Sequence, residues 1–301
     1  TYFTNGPGAG LSTKGDQIRR IRSIFANHLE RAALEVKSSE LQLSVDNHGA
    51  KVSAARAVGY LTPVLHWAKR RDLVGGDFNL EKPMQHSPRQ KVLTEDELVA
   101  LLPTFKNHHG LCAKFMLLTG ARITETTAAT WSQIDLKAKT WTIPPENLKD
   151  TRALQARRHK PKQALMIPLS RQAVELLQEA RQTELARRQL NGLLETVLGQ
   201  DLLFLGPRGA KLSNWDRWLK ATKSKTGING WSAHALRRTV STLAGDLGAP
   251  PHIISVILGH SNVGGQLVAG YNKSTYYPQH RQILQEVADK LDIIEGKASN
   301  G

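Results

Sequence analysis

One cysteine, Cys112, is present among 301 residues. A single thiol excludes an intramolecular disulfide framework and a zinc site built from several cysteines. It stands in a run with Phe115, Met116 and Leu117 and reads as a buried thiol, as expected for a reducing cytoplasm. Long apolar runs are also lacking. None approaches the roughly 18 residues of a membrane-spanning helix. No stretch reads as a secretory signal peptide, an internal repeat or a long low-complexity tract. Neither a Walker-type phosphate loop nor a clear carboxylate cluster for a metal is visible. Acidic residues are scarce: 26 Asp and Glu face 41 Lys and Arg, for a net charge of +15. Such an excess favours nucleic acid as partner, because neutralising phosphates releases counterions. What the chain does have is 40% hydrophobic residues, enough for two domains and a sizeable core and too many for disorder to dominate.

Residues 1–14, rich in Gly, Thr, Ser and Asn, read as a flexible lead-in. A helix is expected from near Asp16, with Ile18, Ile21, Phe25, Leu29, Ala33 and Val36 at helical spacing. Arg19, Arg20 and Arg22 fall elsewhere on its wheel. A second helix is expected over 39–45 and a third over 53–73, kinked or split at Pro63 and carrying Lys69, Arg70 and Arg71 near its end. The region 15–82 therefore reads as an all-helical module with basic faces. Residues 83–93 read as a linker, since Pro83, Pro88 and several charges interrupt any pattern.

Thr94 to Glu97 forms a capping box that opens a helix through Leu98, Leu101 and Leu102. A buried helix over 111–118 follows. Arg122 comes directly after the Thr119-Gly120-Ala121 turn, at the start of another helix, and Glu125 lies one turn on, within reach of its guanidinium. Residues 140–143 and 165–168 have strand composition. Between them lies a polar, basic segment containing Lys149, Arg157, Arg158, Lys160 and Lys162. The spacing predicts helices over 170–198, around Trp215 to Leu219 and over 282–294, and a short strand over 202–205. Residues 296–301 read as a frayed tail. The fold class expected is mainly α with a small antiparallel β-sheet.

The chemistry concentrates between Trp231 and Tyr271. This stretch holds His234-Ala-Leu-Arg237-Arg238, then Leu258-Gly259-His260, then Tyr271. Arginine forks bind phosphate oxygens bidentately. Histidine moves protons near neutral pH. A tyrosine hydroxyl can attack phosphorus and hold it covalently. The His-x-x-Arg spacing puts Arg237 on the His234 face of a helix and Arg238 about 100° away.

Taken in order, Gly-Ala-Arg122-Ile-Thr-Glu125, the strand pair with Lys149, His234-Ala-Leu-Arg237-Arg238, Leu-Gly-His260 and Tyr271 resemble the tyrosine recombinases, or phage integrases. The likeness extends over residues 94–295, and 15–82 looks like that family's helical core-binding domain. Within the family, the Tyr-Asn-Lys context looks most like integrases of genomic islands and P4-type satellite phages. The resemblance implies a mixed α/β catalytic domain over 94–295. It implies that Arg122 and Arg237 clamp a scissile phosphate, that His234 and His260 bond its oxygens, and that Lys149 protonates the leaving group. Glu125 supports the site and Tyr271 attacks. Lys160 or Lys162 could replace Lys149, and Tyr276 and Tyr277 are rivals to Tyr271. Arg19, Arg20, Arg22, Lys69, Arg70, Arg71, Arg157, Arg158 and Arg238 are candidates for DNA contact.

The implied activity is site-specific recombination that integrates or excises a mobile element through a 3′-phosphotyrosyl intermediate, without cofactor or metal. The implied partners are double-stranded DNA attachment sites, a homotetramer on two such sites, and accessory DNA-bending or directionality proteins, in the bacterial cytoplasm or nucleoid. The alternatives are a type IB topoisomerase-like enzyme and a non-catalytic DNA-binding relative. The helix over 282–294 either caps its own domain or docks on a neighbouring protomer.

Overall fold

A computed structural model describes residues 2–11, 13–84, 90–148, 163–190, 201–206, 210–259 and 276–299. The chain divides into two compact units, Thr1–Arg89 and Gln90–Gly301.

The first unit is built on α1 (Lys14–Ile24), α2 (Ser38–Asp46) and α3 (Lys51–Lys69). Residues 2–11 run in turns, with the Tyr2 ring edge-on to Trp67. Ala54, Ala57, Val58, Leu61 and Leu65 make one stripe of α3 and pack with Ile24, Phe25, Leu41, Val45 and Phe78. The small alanines let α1 and α2 lie close against α3. Two expectations need correction. The apolar periodicity of α1 stops at Phe25, and the chain passes into a short 3-10 turn over Ala26–His28. Leu29 is 46% exposed and Leu34 64%, so no core lies beneath a continued helix to stabilise it. Conversely, α3 runs unbroken through Pro63. The proline forfeits a bond to the Gly59 carbonyl, a cost that the buried stripe on both sides outweighs.

The second unit begins with α4 (Glu95–Leu101), whose Thr94–Glu97 capping box forms as expected. At its centre is α5 (His108–Thr119), apolar on nearly every side and buried from Cys112 to Thr119 apart from Lys114. Burial pushes the Cys112 thiol well above its usual range, so it is inert. After the four-residue helix α6 (Ile123–Thr126) comes an antiparallel sheet in the order β1 (Ile134–Asp135), β2 (Thr140–Ile143), β3 (Leu165–Pro168). Register pairs Trp141 with Ile167 and Ile143 with Leu165. Trp141, Ile143 and Ile167 turn to the core, where the Trp141 ring meets Phe115. Residues 202–205 do not make a strand. They contribute two isolated bridges, Thr130 to Leu202 and Leu205 to Lys211.

Among the described residues the sheet is followed by α7 (Arg171–Leu190), α8 (Trp215–Thr226), α9 (Ala233–Asp246) and α10 (Pro251–Ile257), and by one more helix at the C-terminal end. The last, α11 (Tyr277–Ser299), buries Ile283, Leu284, Val287, Ala288, Leu291 and Ile294 in the core of its own unit. Lys114 to Glu295, Lys290 to Glu95 and Arg171 to Asp292 ion pairs border that face. Among the described residues, no helix is long and apolar enough to cross a membrane.

Candidate active site

Two helix ends and one helix face create the site. Gly120 ends α5 in the left-handed conformation at φ +67°, which turns the chain sharply before Arg122. An added Cβ at Gly120 would lie 2.9 Å from Ile257 Cγ2, so the position is closed to larger residues. Arg122 is the N-cap residue of α6. Its main-chain N–H donates to Glu125 Oε2 at 2.8 Å, and its guanidinium Nη1 donates to Glu125 Oε1 at 2.7 Å. Glu125 is only 1% exposed, and one carboxylate thus fixes both the backbone and the side chain of Arg122.

Helix α9 supplies the second arginine. Its apolar positions Ala233, Leu236 and Val240 face the core. His234, near its start, is exposed. Arg237, one turn on, is buried at 4% exposure. Its Nη1 donates to the Gly120 carbonyl at 2.5 Å and its Nη2 to the Leu258 carbonyl. Arg122 Nη2 donates to the same Leu258 oxygen at 3.4 Å. Burial, then the neighbouring Arg122 charge, pull the Arg237 pKa down to about 10, with Glu125 opposing. The group is still a cation at pH 7. Two guanidinium groups and one buried carboxylate leave a net positive centre, which favours an anion. Arg238 is partly exposed, as its different helical face requires.

Lys149, Lys160, Lys162, His260, Tyr271, Arg157 and Arg158 lie outside the described residues. The two rival tyrosines are described: the Tyr276 ring lies 4.8 Å from that of His252, and Tyr277 opens α11. Among the described residues, no three His, Cys, Asp or Glu side chains group as a metal site. In the first unit, Arg19 and Arg20 both bond Asp16, and Arg20 also reaches Ser53. Arg22 is exposed. Lys69 pairs with Asp77, the Arg71 guanidinium lies 4.4 Å over the Trp67 ring, and Arg70 lines a groove with His66 and Lys69. The Gly120 and Leu258 carbonyls were not foreseen as parts of the site, because a main-chain acceptor has no residue-type signature.

A family model described as "Phage integrase family" matches residues 91–276, a span that includes the second-unit candidates except the rival Tyr277. The chain belongs to the phage integrase family. Among its curated relatives, the prophage integrase IntA of Escherichia coli K12 is 25% identical over 91% of this chain and 63% of its own length. The integrase of Enterobacteria phage P4 is 26% identical over 84% of the chain and 58% of its own length. The chain thus spans less than two thirds of the length of these relatives. Solved structures share the fold. The Tn1549 transposon integrase, in complex with circular intermediate DNA, superposes with a TM-score of 0.63 at 17% identity, covering 92% of this chain and 95% of that one. A lambda integrase dimer bound to a core site gives 0.59 at 14% identity, covering 90% and 89%.

Proposed function

We propose that this chain carries the DNA-cleaving part of a site-specific recombinase that integrates or excises a mobile element. The observation that supports it most is the meeting of Arg122 and Arg237 at one main-chain oxygen, with Glu125 buried behind them. A tetrahedral phosphate needs donors from more than one direction, and two guanidinium groups fixed by protein contacts stabilise the charge of a pentacoordinate transition state. In this reading Tyr271 Oη attacks the scissile phosphorus. The bond from phosphorus to the 5′ oxygen breaks, and its electron pair goes to that oxygen. Lys149 supplies the oxygen's proton, and His234 and His260 bond the non-bridging oxygens, one of them taking the tyrosine proton. The product is a 3′-phosphotyrosyl link with a free 5′ hydroxyl. A partner strand's 5′ hydroxyl reverses the step, so bond energy is conserved and neither ATP nor a metal is required.

The partners in this reading are double-stranded attachment sites, bound by a homotetramer on two duplexes, with accessory DNA-bending or directionality proteins, in the bacterial cytoplasm or nucleoid. Arg19, Arg20, Arg22, Lys69, Arg70, Arg71, Arg157, Arg158 and Arg238 contact the backbone. Domain roles follow: core-type binding over 15–82, a linker over 83–93 and catalysis over 94–295. Incubation in EDTA with nicked duplexes from the flanks of its own gene tests the proposal on a denaturing gel. A slow, protease-sensitive DNA band is expected with the natural chain and with Tyr276→Phe, and none with Tyr271→Phe. A band that persists in Tyr271→Phe removes Tyr271 as nucleophile. Tight binding without any band, on every flank, overturns the catalytic reading.

A further inference from the structure

The peptide unit between Leu258 and Gly259 is held at both ends. Its N–H donates back into α10, to the Val256 carbonyl at 2.8 Å. Its carbonyl accepts from Arg237 and from Arg122. The last carbonyls of a helix have no partner within it, so this end of α10 has acceptors to offer. Gly259 follows with φ +53°, a left-handed conformation that glycine adopts without steric cost. A Cβ built at Gly259 would lie 2.9 Å from Leu165 Cδ2 and 3.8 Å from Arg122 Nη1. Leu165 opens β3, whose backbone is fixed by pairing with Ile143 across the sheet. A side chain at 259 must therefore displace either the end of the Leu165 side chain or the Leu258–Gly259 peptide, and it carries the strain of the left-handed backbone besides. One glycine therefore stands where the end of α10, the start of β3 and the Arg122 guanidinium converge.

We infer that Gly259 is a positioning residue for the arginine pair. It lets the end of α10 approach β3 closely enough for the Leu258 carbonyl to hold both guanidinium groups in one arrangement. The inference rests on the recombinase reading, in which those groups clamp the scissile phosphate. A side chain at 259 pushes the Leu258–Gly259 peptide away from β3 and loosens Arg237 and Arg122 together. The Gly120 carbonyl would still hold Arg237 by one amino group, so the defect is one of aim and not of charge.

The test uses the full chain as Gly259→Ala, Leu165→Ala and the double variant. Covalent DNA complex formation is followed at saturating nicked duplex, with DNA affinity and thermal unfolding measured in parallel. Gly259→Ala is expected to slow covalent complex formation by on the order of 10- to 100-fold while DNA affinity changes little. The double variant, which removes the atom that the new methyl meets, should recover a large part of that loss. Mere destabilisation would not be repaired by truncating a second apolar side chain. Equal cleavage by Gly259→Ala and the natural chain overturns the inference, as does a double variant slower than Gly259→Ala.

A second readout keeps the inference apart from the recombinase reading. The Arg237 guanidinium N–H signals in a nitrogen-15 NMR spectrum should be resolved in the natural chain, because two carbonyls hinder rotation of the group. They should broaden or merge in Gly259→Ala and return in the double variant. If no duplex is ever cleaved, the recombinase reading fails while these signals still decide the role of Gly259. Unchanged Arg237 signals in Gly259→Ala overturn it.

Discussion

Arg122 and Arg237 donate to the same oxygen, the main-chain carbonyl of Leu258, although they come from different helices and distant parts of the sequence. Like charges so close repel, and Glu125 is the one carboxylate bonded to either of them among the described residues. The arrangement is stable because main-chain carbonyls absorb what the carboxylate does not. It also leaves a positive centre whose geometry is set before any ligand arrives, the condition for strong electrostatic stabilisation of a charged transition state.

Arg237→Lys tests the value of that geometry. A lysine keeps the charge, but its single ammonium cannot span the Gly120 and Leu258 carbonyls as a planar fork does. Covalent complex formation should fall by about 10²- to 10³-fold, the usual effect of losing one such donor. DNA affinity should stay within a few-fold, since the net charge is unchanged. A lysine variant that cleaves at the natural rate would remove the fork from the mechanism.

Glu125 should matter for folding as well as chemistry. Removing one partner of a buried pair strands the other charge, at a cost of about 3–5 kcal/mol. Arg122 retains 25% side-chain exposure, which softens the effect toward the lower end of that range. Glu125→Ala is therefore expected to lower unfolding free energy by about 3 kcal/mol in urea denaturation. Glu125→Gln, which keeps an acceptor for the Arg122 N–H, should lose clearly less. Equal losses would show that charge, not the hydrogen-bond geometry, is what Glu125 provides.

His280 makes stability depend on pH. It is 1% exposed, and burial pulls its pKa down to about 4. Its Nε2 has no partner among the described residues. Between pH 6.5 and about 4 the unfolded chain takes up a proton that the folded chain refuses. The stability present above pH 6.5 therefore falls as pH drops through this window, by up to about 1.4 kcal/mol per unit. His280→Leu removes this titration, so the difference in unfolding free energy between pH 7.5 and pH 5 should shrink. An unchanged difference would place the acid sensitivity elsewhere.

The attachment of α11 separates apolar from polar contributions. Arg171 bonds Glu175 and Asp292, and its N–H donates to Gln285, yet its side chain is 56% exposed. Exposed pairs of this kind contribute about 0–1 kcal/mol. Leu284 is fully buried, and Leu284→Ala should cost about 2–5 kcal/mol. Chemical denaturation of the two variants should show that order. A larger loss from Arg171→Ala would mean that the polar border, not the apolar face, holds the helix.

Much of the architecture was legible because its signals are local. The capping box at Thr94, the alternation in Thr140–Ile143 and the 3–4 spacing of Ile283, Leu284, Val287 and Leu291 each depend on neighbours in the sequence. So does the choice of Arg237 over Arg238, which helical geometry places on different faces. Ile134–Asp135 is too short to show any period, and Leu29 and Ala33 continue one that the fold leaves exposed. Periodicity records which face could be buried, not whether something lies there to bury it.

The same division holds in the site. By itself the sequence determined the residue types, the Arg122–Glu125 pair one helical turn apart and the strongly basic balance, since these follow from chemistry and short-range geometry. Only the tertiary structure decided that Arg122 and Arg237 share the Leu258 oxygen and that Gly120 and Gly259 take left-handed backbones tight against Ile257 and Leu165. Those relations join helix ends distant along the chain through main-chain atoms. Every residue possesses such atoms, so nothing in the letters of the sequence marks which of them will meet.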